Sequence, residues 1–281
     1  MCIRDRSISW NIFKKNKVAM VCLFIVILLC LIALFAPLIA PYDPNKQVLT
    51  DRLMKPCGQH WFGTDDLGRD IFSRIIYGCR VSLSVGIISQ IIATVIGYTM
   101  GVCAGYYGGK VDSVISFLIQ VFASFPFLLF AMAIMFVLGP GLINLYLALG
   151  LLGWASTARL IRGDVMRLKK MEYIDACKVS GGNSFRIIMK HLLPNCLSTL
   201  IVTVTLGIPN AIMSEASLSF LGLGVKAPMA SWGSMISFSQ PYIRSATYYS
   251  VIPGLAIIIT VLAFNMLGDG LRDALDPKLR S

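Results

Sequence analysis

Long apolar runs alternate along the chain with charged connections, and their lengths fit a membrane. Six runs carry no Asp, Glu, Lys or Arg: residues 18–40, 81–104, 114–138, 142–158, 196–214 and 248–267. Each has roughly 17 to 25 residues, enough to cross a hydrocarbon core of about 30 Å as a helix. A helix is the expected form because it satisfies its own backbone where no water can. Barrel strands need only about 9–11 residues and alternate apolar with polar positions. The pattern therefore predicts an all-α membrane protein with six transmembrane helices. The fourth run is the weakest, being short and carrying Asn144.

The connections are unequal. Residues 105–113 and 139–141 are short, which makes spans two to four near neighbours. Three connections are long, 41–80 and 215–247 on one face and 159–195 on the other, and long loops in compact proteins usually carry function or helices of their own. The first of them begins irregularly, with Pro41, Pro44, Pro56 and Gly58. From Asp66 it turns helical, with Ile71, Ile75 and Ile76 on one side and Asp70 and Arg74 on another, which predicts an interfacial amphipathic helix ahead of span two. The organisation expected is an N-terminal anchor helix, outer loop and interfacial helix over 1–80, then a five-span core over 81–281 that includes the inner loop 159–195.

Within the spans, Gly97 and Gly101, followed by Gly105, form a close-approach face for helix packing. Pro126, Pro209 and Pro253 are expected kink positions.

Lys and Arg set the orientation. With the N-terminus inside, 17 of the 25 Lys and Arg fall on the inner segments and 8 on the outer ones, so both termini are predicted to be cytoplasmic. The opening residues 1–6 read as a misassigned start, and removing Arg4 and Arg6 leaves 15 against 8. The net charge of +11 is largely this bias and does not point to nucleic acid. The first run exceeds the 7–15 residues of a signal-peptide core and reads as a retained anchor.

Composition agrees: 56% of the 281 residues are hydrophobic and 14% charged, against roughly 25% charged in soluble domains, and the mean hydropathy is +0.74. The 8 cysteines show no close metal or redox spacing and read as small apolar filler. No metal site and no catalytic constellation emerges. No phosphate-binding G-x-x-x-x-G-K-[ST] is present, since Gly108-Gly109-Lys110 continues into Val111. Uncharged span cores also weaken a proton- or sodium-coupled carrier.

The inner loop holds the most specific pattern. A basic stretch, residues 159–171, precedes a short helix-forming segment, 172–179; Ser180-Gly181-Gly182-Asn183 breaks it, and a second helical stretch, 184–192, is expected to end at Pro194. This helix, glycine turn and helix resemble the EAA loop of ATP-binding-cassette (ABC) importer permeases, where E-A-A is followed by three residues, a glycine, nine residues and I-x-L-P. Asp175-Ala176-Cys177 stand at the E-A-A positions, Gly181 at the glycine, His191 at the isoleucine and Leu193-Pro194 at the end. The departures are Asp for Glu, Cys for Ala and His for Ile.

Three more blocks, residues 63–83, 215–233 and 268–280, resemble the C-type membrane subunit of the dipeptide, oligopeptide and nickel importers. The resemblance implies a type I importer permease fold in the plasma (inner) membrane of a prokaryote. It implies an ATPase-docking element built from Glu172, Tyr173, Asp175, Ala176, Cys177, Gly181, Gly182, His191, Leu193 and Pro194, with Asp175 capping or pairing with a basic group of the partner. Glu215, Trp232 and Gly233 become candidate contacts for a binding protein or substrate, Trp232 having the alternative role of interfacial anchor. The implied partners are a second related permease (a heterodimer), two cytoplasmic ABC ATPase subunits, an extracytoplasmic solute-binding protein and the lipid bilayer. ATP and Mg²⁺ would be bound by the ATPases and no cofactor by this chain, a non-catalytic subunit. Peptides are the expected cargo; nickel or another small solute, and a self-contained channel or carrier, are the alternatives.

Overall fold

The computed structural model of the chain describes residues 10–275, so the opening 1–6 and the tail 276–281 lie outside the described residues. Among the described residues, nine helices of eight residues or more organise it: α1 (Lys17–Leu34), α2 (Ile71–Tyr107), α3 (Gly109–Ser124), α4 (Phe127–Leu138), α5 (Leu142–Leu168), α6 (Glu172–Val179), α7 (Leu193–Phe220), α8 (Trp232–Ser239) and α9 (Thr247–Leu275). Among the described residues there is no strand, only an isolated bridge between Thr64 and Asp70.

Among the described residues, four helical stretches are long and apolar enough to cross a membrane: α1, α2, α9, and α7 with the turns that lead into it (Ser184–Phe220). A fifth is reached if α3 and α4 together make one span, bent by 90°. The bend sits at Phe125-Pro126, where Phe125 is extended (φ −93°, ψ 137°). A residue before proline is pushed out of the helical region, and proline itself supplies no N–H to continue the ladder. The apolar run 114–138 is thus two helices and not one straight span. The fourth run lies in α5, whose later half carries Arg159, Arg162, Asp164 and Arg167.

The expected interfacial helix does not exist as a separate element. Asp70 accepts a hydrogen bond from the Ser73 amide at 2.7 Å and starts a helix that runs unbroken for 37 residues, through the expected boundary at 80/81. At 1.5 Å per residue it is about 55 Å long. Its first turns are packed inside the protein: Ile71, Arg74 and Ile76 are buried. Arg74 donates to the Pro44 carbonyl at 2.9 Å and lies 3.5 Å from Asp65, which also pairs with Arg69 at 2.6 Å. The outer loop folds back over this buried charge group, and Tyr249 of α9 reaches it through Asp66 at 3.1 Å.

The glycine face of α2 packs within the subunit. A Cβ on Gly97 would lie 2.8 Å from the Trp154 carbonyl, one on Gly101 2.7 Å from the Ala158 carbonyl and one on Gly105 2.9 Å from the Arg162 carbonyl. Three glycines at four-residue spacing therefore let α2 meet the backbone of α5, where dispersion and not a hydrophobic drive holds helices in lipid. Pro209 and Pro253 both lie inside continuous helices.

Candidate functional site

After α5 the chain turns at Lys169 and Lys170 and forms α6, whose acidic Glu172 and Asp175 lie in the first turn and Lys178 in the last. That arrangement complements the helix dipole. Ser180 and Gly181 end the helix; Gly181 takes φ +80°, a left-handed conformation that glycine adopts without a Cβ penalty. Asn183 then caps the next turn by accepting from the Arg186 amide at 2.8 Å. The helical path Ser184–Ile187 continues through a π turn, Ile188–Leu192, directly into α7. Pro194 therefore does not terminate the segment: it occupies the first turn of α7, where a missing N–H is tolerated, and the widened turn before it relieves the clash of its ring with the preceding carbonyls.

This knuckle is seated by two apolar side chains. Ile174 of α6 and Ile187 after the turn are buried with Val102 and Tyr106 of α2, Ile161, Val165 and Leu168 of α5, and Leu192, Cys196 and Leu200 at the start of α7. One cluster thus joins the knuckle to three long helices. Its outer surface remains open. Glu172, Tyr173, Asp175, Ala176 and Gly181 are exposed, and no atom lies within 4 Å of where a Gly181 Cβ would stand. Asp175 pairs with Lys178 of its own helix at 2.7 Å. Gly182 packs on Cys177, whose Sγ a Cβ there would approach to 2.8 Å.

Two of the motif's departures meet. Cys177 Sγ lies 3.6 Å from His191 Nε2, and the Tyr173 ring stands 6.3 Å from that of His191. Leu193 packs at the edge of the cluster below. The pattern also overlooked the most exposed apolar side chains of the knuckle, Val179 at 89% and Phe185 at 72%. They flank the Gly181-Gly182 turn in a segment otherwise rich in charge, the one signal that could have singled them out.

On the other face, Glu215, Trp232 and Gly233 prove to be interior residues. Glu215 is 0% exposed and accepts from Ser219 at 2.6 Å, Ser231 at 2.7 Å and Ser82 at 3.4 Å. Trp232 opens α8 with its indole N–H donated to the Ile75 carbonyl at 3.0 Å, and a Cβ on Gly78 would lie 3.0 Å from its ring. Gly233 packs against Ala216 and Ser219. The expectation that these three contact a binding protein or substrate is corrected for this conformation, as is the interfacial-anchor alternative for Trp232. They bind α8 to α2 and α7, because a carboxylate and an indole N–H excluded from solvent must find partners inside.

The family model described as "Binding-protein-dependent transport system inner membrane component" matches residues 93–281, and "N-terminal TM domain of oligopeptide transport permease C" matches residues 7–56. The dipeptide transport system permease protein DppC of Bacillus subtilis is 46% identical over 273 residues, covering 97% of this chain and 85% of that one. The oligopeptide transport system permease protein OppC of the same organism is 42% identical over 268 residues, covering 95% and 88%. The glutathione transport system permease protein GsiD of Pectobacterium atrosepticum is 42% identical over 286 residues, covering 99% and 95%. Among solved structures, an inward-facing form of the MetNI methionine ABC transporter superposes with a TM-score of 0.59 at 19% identity, over 73% of this chain and 98% of that chain, a likeness of fold.

Proposed function

Since the chain belongs to the family of binding-protein-dependent transport system inner membrane components, we propose that it is the membrane-spanning permease subunit of an ATP-driven peptide importer in a bacterial inner membrane. The observation that carries this reading is the knuckle: an exposed helix and glycine turn whose buried anchors, Ile174 and Ile187, sit in the cluster shared by α2, α5 and α7. A partner that moves the knuckle moves three helices. The names of the relatives, which are dipeptide, oligopeptide and glutathione permeases, support a peptide as cargo.

In this reading there are six spans: α1, α2, the bent α3 and α4, α5, α7 and α9. The 27 residues of α5 reach about 40 Å, and its charged later half leaves the hydrocarbon on the inner side. Both termini and the knuckle are cytoplasmic, following the Lys and Arg bias. Two ATPase subunits bind ATP and Mg²⁺, one under this chain and one under a related second permease; this chain binds neither and catalyses nothing. An extracytoplasmic binding protein delivers the peptide to the outer loops. Nucleotide-driven closure draws the two knuckles together and rocks the bundles between inward- and outward-open states, as alternating access requires.

The test replaces Gly181 with tryptophan and asks whether the ATPases co-purify. Loss of co-purification together with loss of ATP-driven uptake is expected. Intact assembly with undiminished uptake would remove the docking assignment.

A further inference from the structure

Between α2, α5 and α7 lie two adjoining cavities of about 520 and 470 Å³ that share Gln90, Ser156, Gly207 and Asn210 in their walls. Their polar groups are almost all uncharged. Among the described residues, the one charged side chain that lines either is Arg272, near the C-terminal end of α9. Ser89 is 1% exposed and lines the second cavity, and its hydroxyl has no hydrogen-bond partner among the described residues. Such a buried orphan is costly unless something else satisfies it.

The neighbouring groups have used their donors on their own helices. Ser156 donates to the Gly153 carbonyl at 3.0 Å, Ser214 to the Asn210 carbonyl at 2.7 Å and Asn210 Nδ2 to the Leu206 carbonyl at 3.1 Å. Their oxygens retain acceptor capacity, and the Asn210 amide retains a second N–H. Gln90 donates to Thr94 at 3.3 Å, and its carboxamide lies over Gly207, where any Cβ would collide with it. The bare backbone at Gly207 is what admits an amide side chain between α2 and α7.

We propose that these cavities bind the main chain of a peptide, with Ser89 as a donor and Gln90 and Asn210 as amides that both donate and accept. The inference rests on the importer reading above. A peptide main chain is neutral and offers one N–H and one C=O per residue, which a carboxamide matches and a charged side chain does not. A wall without charge in its shared part treats acidic, basic and apolar side chains alike. Were the same face instead covered by a helix of the second permease, its polar groups would be sealed from water.

The experiment uses the assembled transporter, with second permease, ATPases and binding protein, in proteoliposomes, and follows uptake of trialanine and trilysine supplied with saturating binding protein. The Gln90→Leu/Asn210→Leu double variant is expected to slow both peptides by the same factor, roughly tenfold, about one to two lost hydrogen bonds; Asn210→Gln should restore most of the Asn210 share. In a separate preparation, Asn210→Cys should react with a water-soluble maleimide in the nucleotide-free complex. Undiminished uptake, unequal slowing of the two peptides, or a protected Cys at 210 would each overturn the site. If the unsubstituted complex carries neither peptide, the importer reading itself fails, which separates the two conclusions.

Discussion

Ser231 donates its hydroxyl to Glu215 Oε1 at 2.7 Å, so the residue that caps α8 is tied to a carboxylate sixteen positions earlier in α7. Ser82 of α2 completes the link, 3.4 Å from Glu215 and accepting from the Trp232 amide at 3.3 Å. Three helices meet at one acidic side chain with only hydroxyl donors around it. Glu215→Ala would leave those hydroxyls without their acceptor and is expected to cost about 1–3 kcal/mol. Glu215→Gln keeps an acceptor oxygen and should cost less. Thermal unfolding in detergent measures the order; equal midpoints for the two variants would contradict it.

The α2–α5 contact gives a sharper contrast. Gly101→Ala forces a Cβ to within 2.7 Å of a backbone carbonyl, which no rotamer change relieves, and is expected to destabilise by about 1–3 kcal/mol. At Gly254, in the interior of α9, nothing lies within 4 Å of a new Cβ, and Ala there should stabilise by about 0.5–1 kcal/mol through helix propensity alone. The sign difference between the two variants is the measured quantity.

Arg162 and Asp112 form a two-point ion pair that holds the start of α3 to α5, with Nη2 to Oδ2 at 2.7 Å. Both side chains are partly open to solvent, at 31% and 21%, so the coupling in a double-mutant cycle should be about 1 kcal/mol or less. It should shrink at high salt. A coupling that is insensitive to ionic strength would mean that the pair is sealed in the assembled transporter.

At the knuckle, anchor and surface can be separated by substitution. Ile174→Ala removes a buried side chain and should cost about 2–5 kcal/mol of stability. Val179→Asp and Phe185→Asp change exposed positions, so stability should hold within about 0.5 kcal/mol while capture of the ATPases is lost. Retained capture with both aspartates present would move the docking surface elsewhere.

Much of this protein can be read along the chain. Membrane residence, the positions of the apolar runs and the helix, glycine turn and helix at 172–192 follow from composition and local propensity, which are one-dimensional properties. The spacing of Gly97, Gly101 and Gly105 likewise marked a packing face, although not the helix it would meet. Where local signals compete, the sequence was ambiguous. Pro126 breaks a run into two helices at 90°, whereas Pro209 and Pro253 stay inside theirs. The apparent interfacial helix is the first part of α2 because Asp70 starts a helix that nothing then interrupts.

Burial and partnership were decided only in three dimensions. Trp232 is interior because Gly78 and the Ile75 carbonyl, distant in sequence, leave a slot and an acceptor for its indole. Cys177 meets His191 because the chain doubles back between them. Hydrophobic patterning determined which segments leave water. Which polar atoms they take with them, and what satisfies those atoms, depends on long-range packing that no local window contains.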